Sequence, residues 1–178
     1  MEDLNLRCIP KWKIGLFGSI YFIGNVIGNT LLAEYGDTIG RIKLMKIGQG
    51  FTVLSYASIV FLFRNHYIIY SLFFVIGLFS SWRLSLGFIY GTEIIKESSQ
   101  NMAGSLFNLF DAMVVVFAAL YLEHISISWI SLHSVYVSLT LVSFILSCIL
   151  PESPKFLVSR KDYEGAAQAY NFIAKVNN

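Results

Sequence analysis

The chain has 178 residues, of which 56% are hydrophobic and 13% are charged. Soluble globular domains average about 25% charged residues, so this composition indicates a protein embedded in lipid. The formal net charge is only +2 and the basic residues are dispersed, which argues against a nucleic-acid partner. Cys8 and Cys148 lie near opposite ends of the chain, so a disulfide framework is not expected.

Five apolar stretches follow one another along the chain, each close to the ~20 residues that a helix needs to cross a bilayer core. They cover residues 14–33, 44–63, 67–91, 102–122 and 125–150. Backbone groups in hydrocarbon are satisfied by helix formation within each span. The connections, at residues 34–43, 64–66, 92–101 and 123–124, are short, so neighbouring helices are predicted to be antiparallel. The predicted fold is all-α and transmembrane.

The first connection is a charged stretch between two long apolar spans. Gly36 and Gly40 within it permit positive φ, which predicts a tight turn. In the span that precedes it, Gly24 and Gly28 form a Gly-x-x-x-Gly motif, which predicts close packing against another helix.

Lysine and arginine residues predict the orientation, because cytoplasmic loops carry their excess. One side of the bundle receives eight of them, namely Arg41, Lys43, Lys46, Lys96, Lys155, Arg160, Lys161 and Lys175. The other side receives four, namely Arg7, Lys11, Lys13 and Arg64. The first side is therefore predicted to be cytoplasmic, with Met1 outside and the carboxyl end inside. The membrane itself is predicted to be the plasma membrane or an organelle membrane.

Two charges interrupt the spans, Arg83 in the third and Asp111 in the fourth. A charge at the bilayer centre costs about 3 kcal/mol on insertion scales, and such residues usually pair or face a cavity. At a rise of ~1.5 Å per residue, both lie roughly 12–13 Å from the cytoplasmic ends of their helices. An Arg83–Asp111 ion pair would offset much of the desolvation cost. The neighbouring Trp82 is a candidate for stacking on a cation.

The two charges admit two interpretations. In one, they form a structural ion pair between consecutive helices. In the other, Asp111 binds a cationic solute or a proton and Arg83 gates it. The three histidines are scattered, so neither a metal site nor a cofactor is predicted, and no arrangement of catalytic residues indicates an enzyme.

After residue 150 the sequence changes character. Residues 151–155, Pro-Glu-Ser-Pro-Lys, stop the last span. Residues 162–176 then carry apolar residues at intervals of three and four, which predicts an amphipathic helix at the cytoplasmic surface.

Three motifs in these positions resemble the amino-terminal half of a major facilitator superfamily transporter, of the sugar porter or organic cation transporter branches. The first is the signature Gly-x-x-x-Asp-Arg/Lys-x-Gly-Arg-Arg/Lys between the second and third helices of that family. Ala33 and Thr38 depart from it. The matching residues, with a basic residue one place late, are Asp37, Gly40, Arg41 and Lys43.

The second motif is Tyr-Gly-Thr-Glu at residues 90–93, which is similar to the Tyr-x-Ser-Glu that ends the fourth helix of sugar porters. The family's glutamate pairs with an arginine at the start of the next helix, where this chain has Ala103. Arg41 and Lys96 are the alternative partners here. The third motif, at residues 151–155, resembles the Pro-Glu-Ser-Pro-Arg that follows the sixth helix of sugar porters.

The resemblance implies helices two to six of a twelve-helix fold, that is, a partial six-helix half. Residues 1–13 would be the remnant of an external loop, 14–150 a five-helix transmembrane bundle and 151–178 the start of a central cytoplasmic helical loop. A conformational latch would comprise Asp37, Gly40, Arg41, Lys43, Glu93, Glu152 and Lys155. Asp111 would fall where sugar porters place a substrate-contacting glutamine.

The implied function is secondary transport of a small solute, such as a sugar or an organic cation, by alternating access, with or without a coupling proton. The chain would then be a fragment or truncated half whose partners are the lipid bilayer and a missing carboxy-terminal half. The alternative is a non-transporting structural or regulatory membrane subunit derived from a half-transporter. It would bind another membrane subunit.

Overall fold

The computed structural model of the chain describes residues 10–62, 65–95, 97–125 and 129–177, apart from the side chains of a few helical residues, Asp37 among them. Seven helices occupy this part of the chain: α1 (Lys11–Ile39), α2 (Arg41–Leu62), α3 (His66–Ile94), α4 (Glu97–His124), α5 (Trp129–Ile149), α6 (Pro154–Ser159) and α7 (Tyr163–Asn177). The first five are long and apolar enough to cross a membrane. The five predicted spans are therefore confirmed.

The first and third connections are shorter than predicted, because the helices on either side continue beyond their apolar stretches. Only Gly40 separates α1 from α2, and its φ of 113° makes the turn. Gly36 lies inside α1, so the prediction that it also shapes the turn is wrong. A glycine costs a helix interior only about 1 kcal/mol, which is too little to end the helix by itself.

Helices α1 and α3 pack at backbone distance. A Cβ on Gly24 or Gly28 would overlap backbone atoms of Phe74 and Leu78, and a Cβ on Gly77 would overlap the carbonyl group of Tyr21. The predicted close packing at Gly24 and Gly28 is therefore confirmed, with α3 as the partner helix.

A hydrophobic core joins α1, α2 and α3 toward the α1–α2 turn. Its buried members are Leu32, Ile42, Leu44, Met45, Trp82, Leu86 and Tyr90. Helix α5 packs against α2 on the other side. Helix α4 lies apart from this core, because its apolar span contains no buried residue.

The last two helices form a small unit after the transmembrane bundle. Pro154 begins α6, where its fixed φ suits a first helical residue. Ala166 and Ala169 bury one face of α7, whereas Tyr170 is exposed. The helix predicted for residues 162–176 is thus present as α7.

Candidate functional site

A polar cluster joins the ends of α2, α3 and α5. We call it the helix-end cluster and define it by Arg41, Glu93, Glu152 and Ser153. The Arg41 guanidinium forms an ion pair with the Glu93 carboxylate, and both side chains are largely buried. The Ser153 hydroxyl donates to Glu93 Oε2 at 2.6 Å. Arg41 is therefore a partner of Glu93, while Lys96, the alternative, lies outside the described residues.

Glu152 caps the amino end of α2. Its Oε1 accepts hydrogen bonds from the backbone N–H groups of Arg41 and Ile42, both at 2.9 Å. These groups lack partners inside the helix, and the helix dipole favours a negative charge there. A Cβ on Gly40 would lie 2.7 Å from Glu152 Oε2, so this position needs glycine for space as well as for its φ.

Lys46 makes the reciprocal contact at the carboxyl end of α5. Its Nζ donates to the carbonyl oxygens of Cys148 and Leu150, at 3.3 and 3.2 Å. A cation suits this end of a helix, where carbonyl groups lack partners. Glu152, which follows α5, thus caps the start of α2, and Lys46 of α2 caps the end of α5. The Tyr90 hydroxyl adds a bond to the Pro151 carbonyl at 3.1 Å, which ties α3 to the same junction.

The helix-end cluster contains some of the predicted latch residues and lacks others. Three of the seven belong to it, namely Arg41, Glu93 and Glu152, and Gly40 lies against Glu152. Lys43 and Lys155 are exposed and form no ion pair within the described part of the chain. The side chain of Asp37 lies outside the described residues. The predicted latch did not include Lys46, Tyr90 or Ser153, although Tyr90 and Ser153 belong to the motifs at residues 90–93 and 151–155.

Replacing Glu152 with alanine is expected to destabilise the junction of α2 and α5 by about 1–2 kcal/mol, the usual cost of losing a helix cap. Thermal unfolding of the protein in mild detergent measures this. Lys155→Ala, three residues away and exposed, is the control and is expected to change stability by less than about 0.5 kcal/mol. Equal effects of the two changes would contradict the capping role.

A cleft of about 850 Å³ opens between α2, α3, α4 and α5. Most of its lining is apolar. The polar residues that line it are Gln49, Arg83, Asn108, Asp111, Ser143 and Ser147. The two intramembrane charges that the sequence singled out therefore reach the same cleft.

These charges do not form the ion pair that their equal depth predicted, as far as the described residues show. The contact between α3 and α4 is limited, and it includes the approach of Phe107 to Gly91. Arg83 Nε and Gln49 Oε1 are buried without a hydrogen-bond partner in the described structure. The cleft is thus lined by the Arg83 donor, the Gln49 acceptor and the Asp111 carboxylate. Within the described structure these groups do not bond to one another.

Gln49 is a cleft residue that sequence reasoning missed. It is 4% exposed, and its Nε2 donates to Ser143 Oγ at 3.2 Å. A glutamine within an apolar span is the sequence signal that could have revealed it. Trp82, in contrast, does not line the cleft. Its indole N–H donates to the Gly28 carbonyl at 2.9 Å, which fixes it in the α1–α3 contact.

Comparison with known proteins agrees with this architecture. The family model of the Major Facilitator Superfamily matches residues 5–174. Solute carrier family 22 member 16 of Homo sapiens is 28% identical over 97% of the chain and 30% of its own length. Solute carrier family 22 member 15-like of Xenopus tropicalis is 29% identical over 89% of the chain and 33% of its own length.

Organic cation/carnitine transporter 2 of Homo sapiens is 25% identical over 99% of the chain and 32% of its own length. The chain thus spans about a third of the length of the curated relatives it matches. With five membrane-capable helices, it is an integral membrane protein. The match of the family model over nearly the whole sequence settles its relationship: the chain belongs to the major facilitator superfamily.

Proposed function

We propose that the chain is part of a secondary transporter that moves a small solute across the membrane by alternating access. The observation that carries this proposal is the set of unsatisfied polar groups in the cleft. Arg83 Nε and Gln49 Oε1 are buried and have no hydrogen-bond partner among the described residues, and the Asp111 carboxylate lines the same space. Polar groups at this depth are costly, and in membrane proteins they commonly mark a solute or ion path.

In this proposal Asp111 binds a cationic solute or a coupling proton, and Arg83 gates access to it. The absence of an ion pair between them in the described structure leaves the carboxylate available to an incoming cation. A relative named for organic cations and carnitine favours a cationic or similarly small polar metabolite over a sugar. Trp82 does not line the cleft, so this proposal assigns it no contact with the solute.

The helix-end cluster would make α2, α3 and α5 move as one body during alternating access. Arg41, Glu93 and Glu152 connect the three helix ends through contacts inside this chain. A rigid half is what rocking of one bundle against another requires. The other bundle would come from a carboxy-terminal half, in keeping with the greater length of the relatives.

A non-transporting membrane subunit is the second candidate. The observation that favours it is the exposure of α4, which lines the cleft but has no buried residue in its span. The two candidates differ in whether wild-type protein takes up solute at all. Uptake of radiolabelled tetraethylammonium and L-carnitine by cells that express the full-length protein distinguishes them.

Asp111→Asn in the full-length protein is expected to lower uptake at least tenfold and to flatten its dependence on external pH, because the amide neither pairs with a cation nor takes up a proton. Radiotracer uptake between pH 5.5 and 8 measures both effects. Asp162→Asn is the matched control, since Asp162 Oδ1 accepts from Gly165 N at the start of α7 and asparagine serves equally as a cap. Unchanged uptake and pH dependence in Asp111→Asn would rule out the assigned role.

A further inference from the structure

The corner between α6 and α7 is attached to the turn between α1 and α2. The Arg160 guanidinium donates a hydrogen bond to the carbonyl oxygen of Thr38, in the last turn of α1. The same guanidinium lies over the Phe156 ring, which packs against the turn at Gly40. These contacts fix the corner relative to the end of α1.

The depth of the corner follows from the length of α1. The membrane-capable stretch of this helix ends at Leu32, and Thr38 lies six residues further along it, or about 9 Å. The head-group layer on each side of a bilayer is roughly 5–8 Å thick. The contact of Arg160 with Thr38 therefore places the corner at the outer edge of that layer, within reach of lipid phosphates.

Lys161, at this corner, has a backbone conformation that lysine rarely adopts. Its φ is 62°, the one positive φ of a residue other than glycine in the described ranges. Such a φ brings Cβ close to the following carbonyl, so glycine is favoured there, and strain of this kind clusters at functional sites. The Lys161 side chain is exposed, and its ammonium group has no partner within the described part of the chain.

Positive charge exceeds negative charge among the described side chains of the corner. The exposed bases there are Lys43, in the first turn of α2, and Lys155, Arg160 and Lys161. The two acids that follow are Asp162, whose Oδ1 accepts from Gly165 N, and Glu164, in the first turn of α7. The corner therefore suits an anionic ligand.

Helix α7 presents an aromatic face that nothing in the described structure covers. Tyr163 and Tyr170 lie two turns apart with Ala167 between them, so they share one face. They are 67% and 55% exposed, whereas Ala166 and Ala169 bury a different face. Tyrosine is enriched at the head-group level of membranes. A helix with such a face next to basic residues is suited to lie on a lipid surface.

We propose that Lys161 binds the phosphate group of an anionic phospholipid in the adjoining leaflet, while the tyrosine face of α7 lies on the surrounding head groups. The lysine and arginine count predicts that this side is cytoplasmic, and the cytoplasmic leaflet carries anionic lipids. The ammonium group donates hydrogen bonds to the phosphate oxygens, and the long side chain brings it to their depth.

A lipid is favoured over a free anion as the ligand of Lys161. One exposed lysine holds a soluble phosphate weakly, because the pair is hydrated and screened by salt. In a bilayer the phosphates are already concentrated beside the corner, so binding costs little entropy. The site does not depend on whether the protein transports a solute.

Lipid titration of the full-length protein in mild detergent, followed by native mass spectrometry, tests this proposal. The two lipids are dioleoylphosphatidylserine, which is anionic, and dioleoylphosphatidylcholine, which has no net charge. Lys161→Gln removes the charge, and Lys161→Gly removes both the charge and the backbone strain. Lys13→Gln is the matched control, because it removes an exposed charge at the opposite end of α1.

We expect the wild type to bind phosphatidylserine more tightly than phosphatidylcholine. Both Lys161 variants should lose about fivefold in affinity for phosphatidylserine, the contribution of one basic residue near an anionic surface. Lys13→Gln should bind like the wild type. Lys161→Gly should melt at or above the wild-type temperature, because glycine adopts this φ without strain, and this would exclude misfolding as the cause of weaker binding.

Equal affinity of Lys161→Gln and Lys13→Gln for phosphatidylserine would overturn the proposal. So would equal affinity of the wild type for the two lipids. Displacement of the bound lipid by millimolar inorganic phosphate would also overturn it, because the corner would then be a site for a free anion.

Discussion

Replacing Glu93 with alanine is expected to lower the stability of the protein by about 3 kcal/mol, because it removes a carboxylate that pairs with the largely buried Arg41 guanidinium. The change also removes the acceptor of the Ser153 hydroxyl. The loss therefore reaches α2, α3 and the segment after α5 together. In thermal unfolding followed by fluorescence-detected size exclusion, the melting temperature should fall by about 5 °C or more.

Two further variants locate the cause. Glu93→Gln keeps an acceptor for Ser153 and removes only the charge, so it should recover part of the loss. Lys43→Ala removes an exposed charge from the first turn of α2, and its stability should stay within about 0.5 kcal/mol of the wild type. If Glu93→Ala unfolds at the same temperature as Lys43→Ala, the ion pair does not stabilise the junction.

The helices themselves were predictable from sequence, whereas their ends were not. Hydropathy reports which residues favour lipid, and it placed all five spans correctly. It does not report where a helix stops in water. Helix α1 therefore continues through Tyr35 and Gly36 to Ile39, beyond its apolar stretch, and the predicted ten-residue connection shrinks to Gly40.

The contacts between distant residues at the junction of α2 and α5 were likewise not predictable from the sequence. The motifs indicated that Arg41, Glu93 and Glu152 matter, but not which atoms they meet. The Glu152 cap on α2 and the Lys46 contacts with Cys148 and Leu150 join residues about 100 positions apart. Such contacts follow from how two helix ends are placed relative to each other, which no local pattern encodes.

For the two intramembrane charges, the sequence predicted a shared location but not the distance between the side chains. Counting residues gave Arg83 and Asp111 the same depth, and both do line one cleft. Depth along a helix says nothing about the distance between helix axes. Within the described structure, the two charges line the same cleft without forming an ion pair.

The contact between α1 and α3 should be the least tolerant of change in the described structure. Gly77→Ala is expected to cause the largest loss of folded protein of all the variants considered, because its Cβ would overlap the carbonyl oxygen of Tyr21. The three nearest atoms all belong to the Tyr21 backbone, so no side chain can rotate away. The two helices would have to separate, which would break the hydrogen bonds from Trp82 to Gly28 and from Tyr21 to Ser80. Overpacking of a tight interior typically costs 1–3 kcal/mol, and the lost bonds add about 1 kcal/mol each.

Gly18→Ala is the matched control, since it makes the same chemical change on α1 where no atom lies within 4 Å of the added Cβ. Alanine is a better helix former than glycine by about 1 kcal/mol, so this variant should be as stable as the wild type or more stable. The folded fraction of both variants, measured as the monodisperse peak in size exclusion after extraction, should therefore move in opposite directions. A Gly77→Ala variant that folds as well as Gly18→Ala would show that the helices are not held at backbone distance. Only a contact between backbones makes one added methyl group destabilising at one glycine and harmless at the other.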